Sequence, residues 1–369
     1  MNQVKRRQNM KAKTFLPLTA ILLVCVLVLF PACGTKETQS DKYSFYENTV
    51  DNSKPIAMGD SRDIYVFADA STWKILQNFL TRNLERETFV VVNEKYFRII
   101  KSDIKNIDEL MKYKNLLFLG DLKSKEEVST HMRKSLDKQM LDKVQKSGAE
   151  MFVARNRWVK DQLIVYMMGS NLENLLKINL LQADQLYNLF LNRLAERLAY
   201  QAYQTKIIPE DFFQPYPFSL KVPSNFQVYA NDKENHFLSF LYRIRSQSAD
   251  FPDRYLSIYY EDMPQDSVNL NWLMQKRQAL ANKYYQGDKF IKENIRSERF
   301  QLGKYNGWRI LGPWQNDKFA IGGGFQAFAF YEPQQKKAYL IDNSVYFPAG
   351  DKLPELLLLQ KISETFTAK

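Results

Sequence analysis

Residues 325–347 read FQAFAFYEPQQKKAYLIDNSVYF, and this stretch decides the fold. Phe325–Tyr331, Lys337–Ile341 and Val345–Phe347 are short runs rich in aromatic and β-branched residues, the composition of strands. Working outward, Arg299–Leu302 and Gly307–Leu311 extend the pattern upstream. Phe218–Val222 and Phe226–Val228 flank Pro223, Phe237–Arg243 alternates, and Tyr255–Tyr260 is a third aromatic run. Two segments break the period of two. Leu270–Tyr285 places Trp272, Leu273, Leu280 and Tyr284 on one helical stripe, and Pro354–Phe366 has proline in its first turn. The spacing predicts an antiparallel sheet with helices against one face over residues 206–369.

The first half alternates strand with helix instead. Asp63–Ala68 reads as a strand, and Asp69 to Ser71 as a helix start. Trp73, Ile75, Leu76, Phe79, Leu80 and Leu84 follow at helical spacing. Thr88–Val92 and Tyr96–Ile100 read as strands around a turn at Asn93-Glu94. Ile107–Tyr113 reads as a helix, Asn115–Leu119 as a buried strand, and 124–146 as charged helix. Met151–Ala154 and Gln162–Met167 are two strands around a short turn, and Leu172–Tyr203 is one or two long helices. This order predicts an α/β-type domain over 57–205, so the whole chain is α+β with two α/β-type domains. Pro209, Pro215 and Pro217 mark 206–217 as an aromatic linker between them.

The amino-terminal end gives an address. Lys5, Arg6, Arg7, Lys11 and Lys13 precede the apolar run FLPLTAILLVCVLVLF (15–30), which closes on Pro31-Ala32-Cys33-Gly34. That layout is a secretory signal peptide over 1–32, and a cysteine after the small residue makes it a lipoprotein signal. The expectation is lipidation of Cys33, with acyl chains such as palmitate holding the protein at the membrane. Residues 33–56 read as a flexible tether. Gly34 rather than aspartate after the cysteine favours the outer membrane of the cell envelope, with either face open.

Charge and cysteine content exclude several classes. The formal charge is +11, but the leader supplies five of the basic residues. Lys101–Lys146 interleaves eleven basic with eight acidic residues, unlike the clustered charge of a nucleic-acid reader. The two cysteines are Cys25 in the leader and Cys33, so the mature chain has no disulfide, thiol nucleophile or thiolate metal site. Histidine is limited to His131 and His236, one per half, which opposes a metal centre or a Ser/His/Asp triad. No cofactor is expected.

The chemistry-bearing candidates are few. Glu261-Asp262 is the most suggestive carboxylate pair for a hydrolase acting on envelope polysaccharide. Gly322-Gly323-Gly324 suits either an anion-facing backbone or a glycine bend entering an edge strand. Trp308, Trp314, Phe319, Phe325, Tyr331, Tyr339 and Tyr346 concentrate in 305–347 and would make a recognition face if exposed together. From these, Trp308, Gly322, Gly323, Phe325 and Tyr346 are the candidate partner-binding residues, with Trp158, Lys160 and Gln162 as a second cluster.

Three segments carry a resemblance. Asp63–Phe67 with Trp73, Asn156-Arg157-Trp158-Val159-Lys160-Asp161-Gln162, and Gly307-Trp308 with 321–325 and Val345-Tyr346-Phe347-Pro348 resemble an uncharacterised family of Bacteroidota lipoproteins. Gly324 stands where that family has proline and Ile321 where it has methionine. The order of elements in the second half resembles the PsbP/Mog1-like sandwich. The resemblance implies location and fold, and carries no reaction. The sequence therefore predicts an envelope lipoprotein that binds another envelope protein or a glycan.

Overall fold

The computed structural model describes residues 53–369; the expected signal peptide, Cys33 and the segment read as a tether, up to residue 52, lie outside the described residues. The end of that tether is docked: Lys160 N donates to Pro55 O at 2.9 Å, and Ala57 N to Lys160 O at 3.2 Å.

The first half begins with β1 (Asp63–Ala68), α1 (Ala70–Leu84) and the hairpin of β2 (Glu87–Phe89) and β3 (Asn93–Lys95). It continues through β4 (Arg98–Ser102), α2 (Ile107–Leu110), β5 (Asn115–Asp121), α3 (Glu127–Ser135) and α4 (Lys138–Ser147). It closes with β6 (Ala149–Arg155), β7 (Leu163–Gly169), α5 (Leu172–Leu181) and α6 (Ala183–Ala202). The sheet order is β4-β1-β5-β7-β6, parallel except for β6. Alternation along each strand splits the core. Ile64, Val66, Leu117 and Val165 face Leu76, Leu80, Phe190 and Leu194 of α1 and α6. Phe67, Phe118, Ile164 and Tyr166 face Val128, Met132 and Val144 of α3 and α4. Helices on both faces explain why β5 and β7 are buried throughout and read as unbroken apolar runs.

The second half contains β8 (Phe218–Ser219), β9 (Gln227–Asp232), β10 (Phe237–Tyr242), β11 (Asp253–Asp262), α7 (Leu270–Tyr284) and β12 (Lys289–Phe290). Then come β13 (Arg296–Leu302), β14 (Tyr305–Asn316), β15 (Ile321–Glu332), β16 (Lys337–Tyr346), α8 (Leu353–Ser363) and β17 (Thr367–Ala368). The main sheet runs β12-β14-β15-β16-β11-β10-β9, with β13 also on β14. These pairs are antiparallel. Pro313 sits inside β14 because it lies between the stretch that pairs with β13, ending at Leu311, and that which pairs with β12, starting at Trp314. No ladder donor is lost there.

The α+β class and the antiparallel second sheet are as the sequence predicts, with four corrections. Helices cover both faces of the second sheet: α8 packs Leu356, Leu359 and Ile362 on one, and Leu273 of α7 packs on the other. The segment 206–217 is not a free linker, since Phe213 and Tyr216 are buried in the same core. Asn93-Glu94 is strand rather than turn, and the chain reverses over Val90–Val92. Gly322-Gly323-Gly324 lies in the interior of β15, a central strand and not an edge.

The described residues belong to one compact unit, and the two halves interlock. Val90, fully buried at the hairpin tip, joins the second half's core. A side chain on Gly324 would put its Cβ 2.2 Å from Val90 Cγ1, so glycine makes room for the hairpin. The Glu94 carboxylate accepts from Lys352 N at 2.7 Å and Leu353 N at 2.8 Å, capping α8 across the junction. Arg62 pairs with Asp351 at 2.6 Å.

Candidate binding site

Doubly wound sheets seat ligands where the strand order reverses, at the carboxyl ends of the strands. In the first half that point lies between β1 and β5, where an open hollow of about 750 Å³ is bordered by Asp69, Trp73, Lys101 and Glu126, and its helix starts are already occupied by side chains. Asp69, 2% exposed, accepts from the α3 amides of Val128 at 2.9 Å and Ser129 at 3.2 Å, and from Ser124 Oγ at 2.9 Å. Glu126 answers by accepting from Ala70 N at 2.8 Å and from Ser71 Oγ. Each helix start holds the other segment's carboxylate, in the place where a phosphate would sit. The neighbouring Lys101 ammonium is spent on Ala68 O and Ser102 O.

The second half leaves a cavity open. On the α7 face, one end of the sheet brings together Asp253 and Tyr255 of β11, Ser344 and Tyr346 of β16, and Trp314 and Asn316 of β14. Each pair is two residues apart and so shares a face. Above them α7 presents Arg277 and Ala281, one turn apart, and the chain continues through Tyr285 to Asp288. The cavity, open on one side, has a volume of about 180 Å³.

Arg277 anchors this site. It is 2% exposed. Its Nε donates to Asp342 Oδ1 at 3.1 Å and Nη2 to Ser344 Oγ at 3.3 Å. The guanidinium lies 3.4 Å from the ring centroid of Phe325, a desolvated cation–π contact. Nη1 is buried with no hydrogen-bond partner among the described residues, and so is Trp314 Nε1. Burial raises the Asp342 carboxyl above the usual carboxylate range, and Arg277 opposes the rise.

The walls are aromatic. The Tyr285 ring stacks on Tyr229 at 5.6 Å and meets Tyr255 edge-on at 5.5 Å. Its hydroxyl bonds Ser239 Oγ at 2.6 Å and also Ser257 Oγ. Burial pushes Tyr255 up to about 12. Arg243 holds Asp253 through Nε at 2.8 Å and donates to Tyr255 Oη at 3.1 Å. Asn316 donates to Asp288 at 2.6 Å, while its Oδ1 accepts from Lys318 N and Phe319 N and shapes the β14–β15 turn. Phe319, on that turn, is 47% exposed at the rim. Burial raises the Asp288 carboxyl, against Asn316 and Arg277.

The predicted site residues divide. Tyr346 lines the cavity, and Phe325 lies under its arginine. Gly323 has no room for a Cβ, which would stand 2.0 Å from Val345 O and 2.8 Å from Trp314 Nε1; it lets the indole lie against β15. Gly322 pairs with Gln315 in the ladder. Trp308 sits six residues before Trp314 on β14, under the Arg299 guanidinium at 3.8 Å, and does not line the cavity. Trp158, Lys160 and Gln162 belong to the β6–β7 loop of the first half. Gln162, fully buried, donates to Met111 O at 2.6 Å and Tyr113 O at 2.9 Å, fixing that loop. Trp158 packs against the α3/α4 side of the core. Lys160 borders a separate cavity of about 270 Å³ with Asp161 and Arg197.

The carboxylate pair has no acid–base geometry. Glu261 and Asp262 are successive on β11 and face opposite sides. Glu261 accepts from Trp272 Nε1 at 2.7 Å, Tyr259 Oη at 2.8 Å and Lys276 Nζ at 3.0 Å. Burial pulls its pKa up, but these three donors outweigh it and hold it low. Asp262 is held low by its hydrogen bond from Lys337. A general acid needs the opposite shift. His131 stacks on Phe118 and His236 on Tyr260, in different halves.

Sequence reading missed Arg277, Tyr229, Tyr255, Tyr285, Arg243 and Asp288. The available signal was the spacing 273, 277, 281 on α7, a buried stripe interrupted by one arginine and continued to Tyr285 just past the helix end.

Residues 57–203 match the family model of a domain of unknown function, DUF8532. Residues 206–365 match that of a second, DUF4837. No curated protein matches the sequence. Among solved structures the chain is similar to LpqN of Mycobacterium tuberculosis, described as involved in cell envelope biogenesis: 15% identity over 41% of this chain and 82% of that one, TM-score 0.25. It is also similar to the Ran-binding protein Mog1p of Saccharomyces cerevisiae, at 12% identity over 41% and 90%, TM-score 0.28. A Bacteroides thetaiotaomicron protein is similar at 9% identity over 42% and 45%, TM-score 0.25.

Proposed function

We propose that this protein is a lipid-anchored component of the cell envelope whose second half binds a small polar group and does not transform it. The leader and Cys33 support the anchor. The observation that carries the binding reading is the cavity over Arg277: aromatic walls around a buried guanidinium, with Asp288 and Ser344 on the lining. Convergent polar groups in an aromatic hollow are the usual form of a small-ligand site. The partner class is an envelope glycan presented to the anchored protein.

One experiment tests both parts. Washed membranes carrying the full-length protein are incubated with an enzymatic digest of envelope glycan, then the protein's melting temperature and the recovered digest are compared with controls. The expected outcome is a raised melting temperature, reduced on Phe319→Ala, with the digest unchanged in composition. Cys33→Ala should leave the protein in the soluble fraction. New products in the digest would replace binding by hydrolysis, and a Cys33→Ala protein still held by the membrane would remove the lipid anchor.

A further inference from the structure

We propose that the cavity over Arg277 seats one uncharged sugar ring of a glycan, with Asp288 and Ser344 as its hydrogen-bonding partners. This rests on the binding reading above and names its ligand class.

Size sets the first limit. A volume of about 180 Å³ in a hollow open on one side takes a group of ring size. Charge sets the second. Two guanidinium groups and three carboxylates interleave around the cavity: Arg243 is committed to Asp253, and Arg277 is shared between Asp342 and the neighbouring Asp288. An anionic sugar would meet Asp288 and Asp253, and a cation would meet Arg277 and Arg243. A neutral polyol meets neither penalty, because each hydroxyl both donates and accepts. An acceptor is present at Asp288, and Ser344 Oγ, which takes an N–H from Arg277, keeps its own O–H to donate. Shape sets the third. Tyr346 and Phe319 offer flat rings to the C–H faces of a pyranose, and Phe319 stands half-exposed at the mouth.

The test is a titration of the full-length protein in detergent with three probes: the methyl glycosides of neutral hexoses, methyl glucuronide, and tetramethylammonium. Tryptophan emission and saturation-transfer NMR report binding. The expected result is saturable binding of at least one neutral glycoside. Phe319→Ala should weaken it about fivefold, the loss of one aromatic contact, and Asp288→Asn should weaken it about tenfold. Phe319 is a rim residue and Asp288→Asn keeps its shape, so both variants remain folded. Binding of glucuronide or tetramethylammonium in preference, with the same Phe319 dependence, would overturn the neutral-sugar assignment and leave the binding site standing. Silence from all three probes would overturn both.

Discussion

Arg277 occupies a position where the stripe of α7 calls for an apolar side chain, and its neighbours show how the fold tolerates it. Asp342 takes one N–H, Ser344 another, and Phe325 spreads its ring beneath the guanidinium. Removing one member of a buried pair strands the other's charge, typically at about 3–5 kcal/mol. Arg277→Met should therefore lower the unfolding free energy by about that amount in urea titration at neutral pH. Adding Asp342→Asn should return most of it, since the stranded carboxylate is gone. A double variant no more stable than the single would mean that stacking on Phe325, and not charge, fixes the arginine.

At the scale of elements, the junction is built from one helix cap. Glu94 is 3% exposed, yet it bonds the first amides of α8. Burial raises its pKa above the ordinary 4.5, only partly offset by those amides and by Lys352. A raised carboxyl binds its proton more tightly in the folded state than in the unfolded one. Its stabilising contribution is thus complete below the unfolded pKa and is lost as pH rises through the folded value. Glu94→Gln keeps an acceptor for the cap without a titrating group. Its stability should be flatter than that of the parent from about pH 4.5 upward, measured as urea midpoints across pH 4–7; parallel curves would refute the assignment. The same residue shows what sequence left illegible. Strand and helix runs such as Asp63–Ala68 and Leu270–Tyr284 are visible because their period records which face is buried. Glu94 looked like a turn because its partner lies 258 residues away on α8, and no local pattern encodes that. The cavity was half legible for the same reason. Tyr346 and Trp314 stand out in an aromatic-rich stretch, but Tyr229, Tyr255 and Tyr285 converge only through sheet register and the fold of α7 over it.

For the whole molecule, the question is whether two sequence domains make one cooperative body. The tip of the first half's hairpin buries Val90 in the second half's core, and Leu357 of α8 joins the first half's core. Arg62 reaches Asp351, and Glu94 holds α8. Each half thus completes its packing with side chains from the other, so neither should survive the other's loss. Tryptophans are placed to test this: Trp73 and Trp158 report the first half, and Trp272, Trp308 and Trp314 the second. Single-tryptophan versions retaining Trp73 or Trp314 should give coincident urea midpoints, the signature of one transition. Gly324→Val should separate them, because even its Cβ would stand 2.2 Å from Val90 Cγ1 and expel the hairpin. Pairing it with Val90→Ala should bring the midpoints back together by emptying the space the new side chain needs. Two resolved midpoints in the unmodified background would show that the interlocked side chains are contact without coupling. The cavity over Arg277 would then depend on the second half alone.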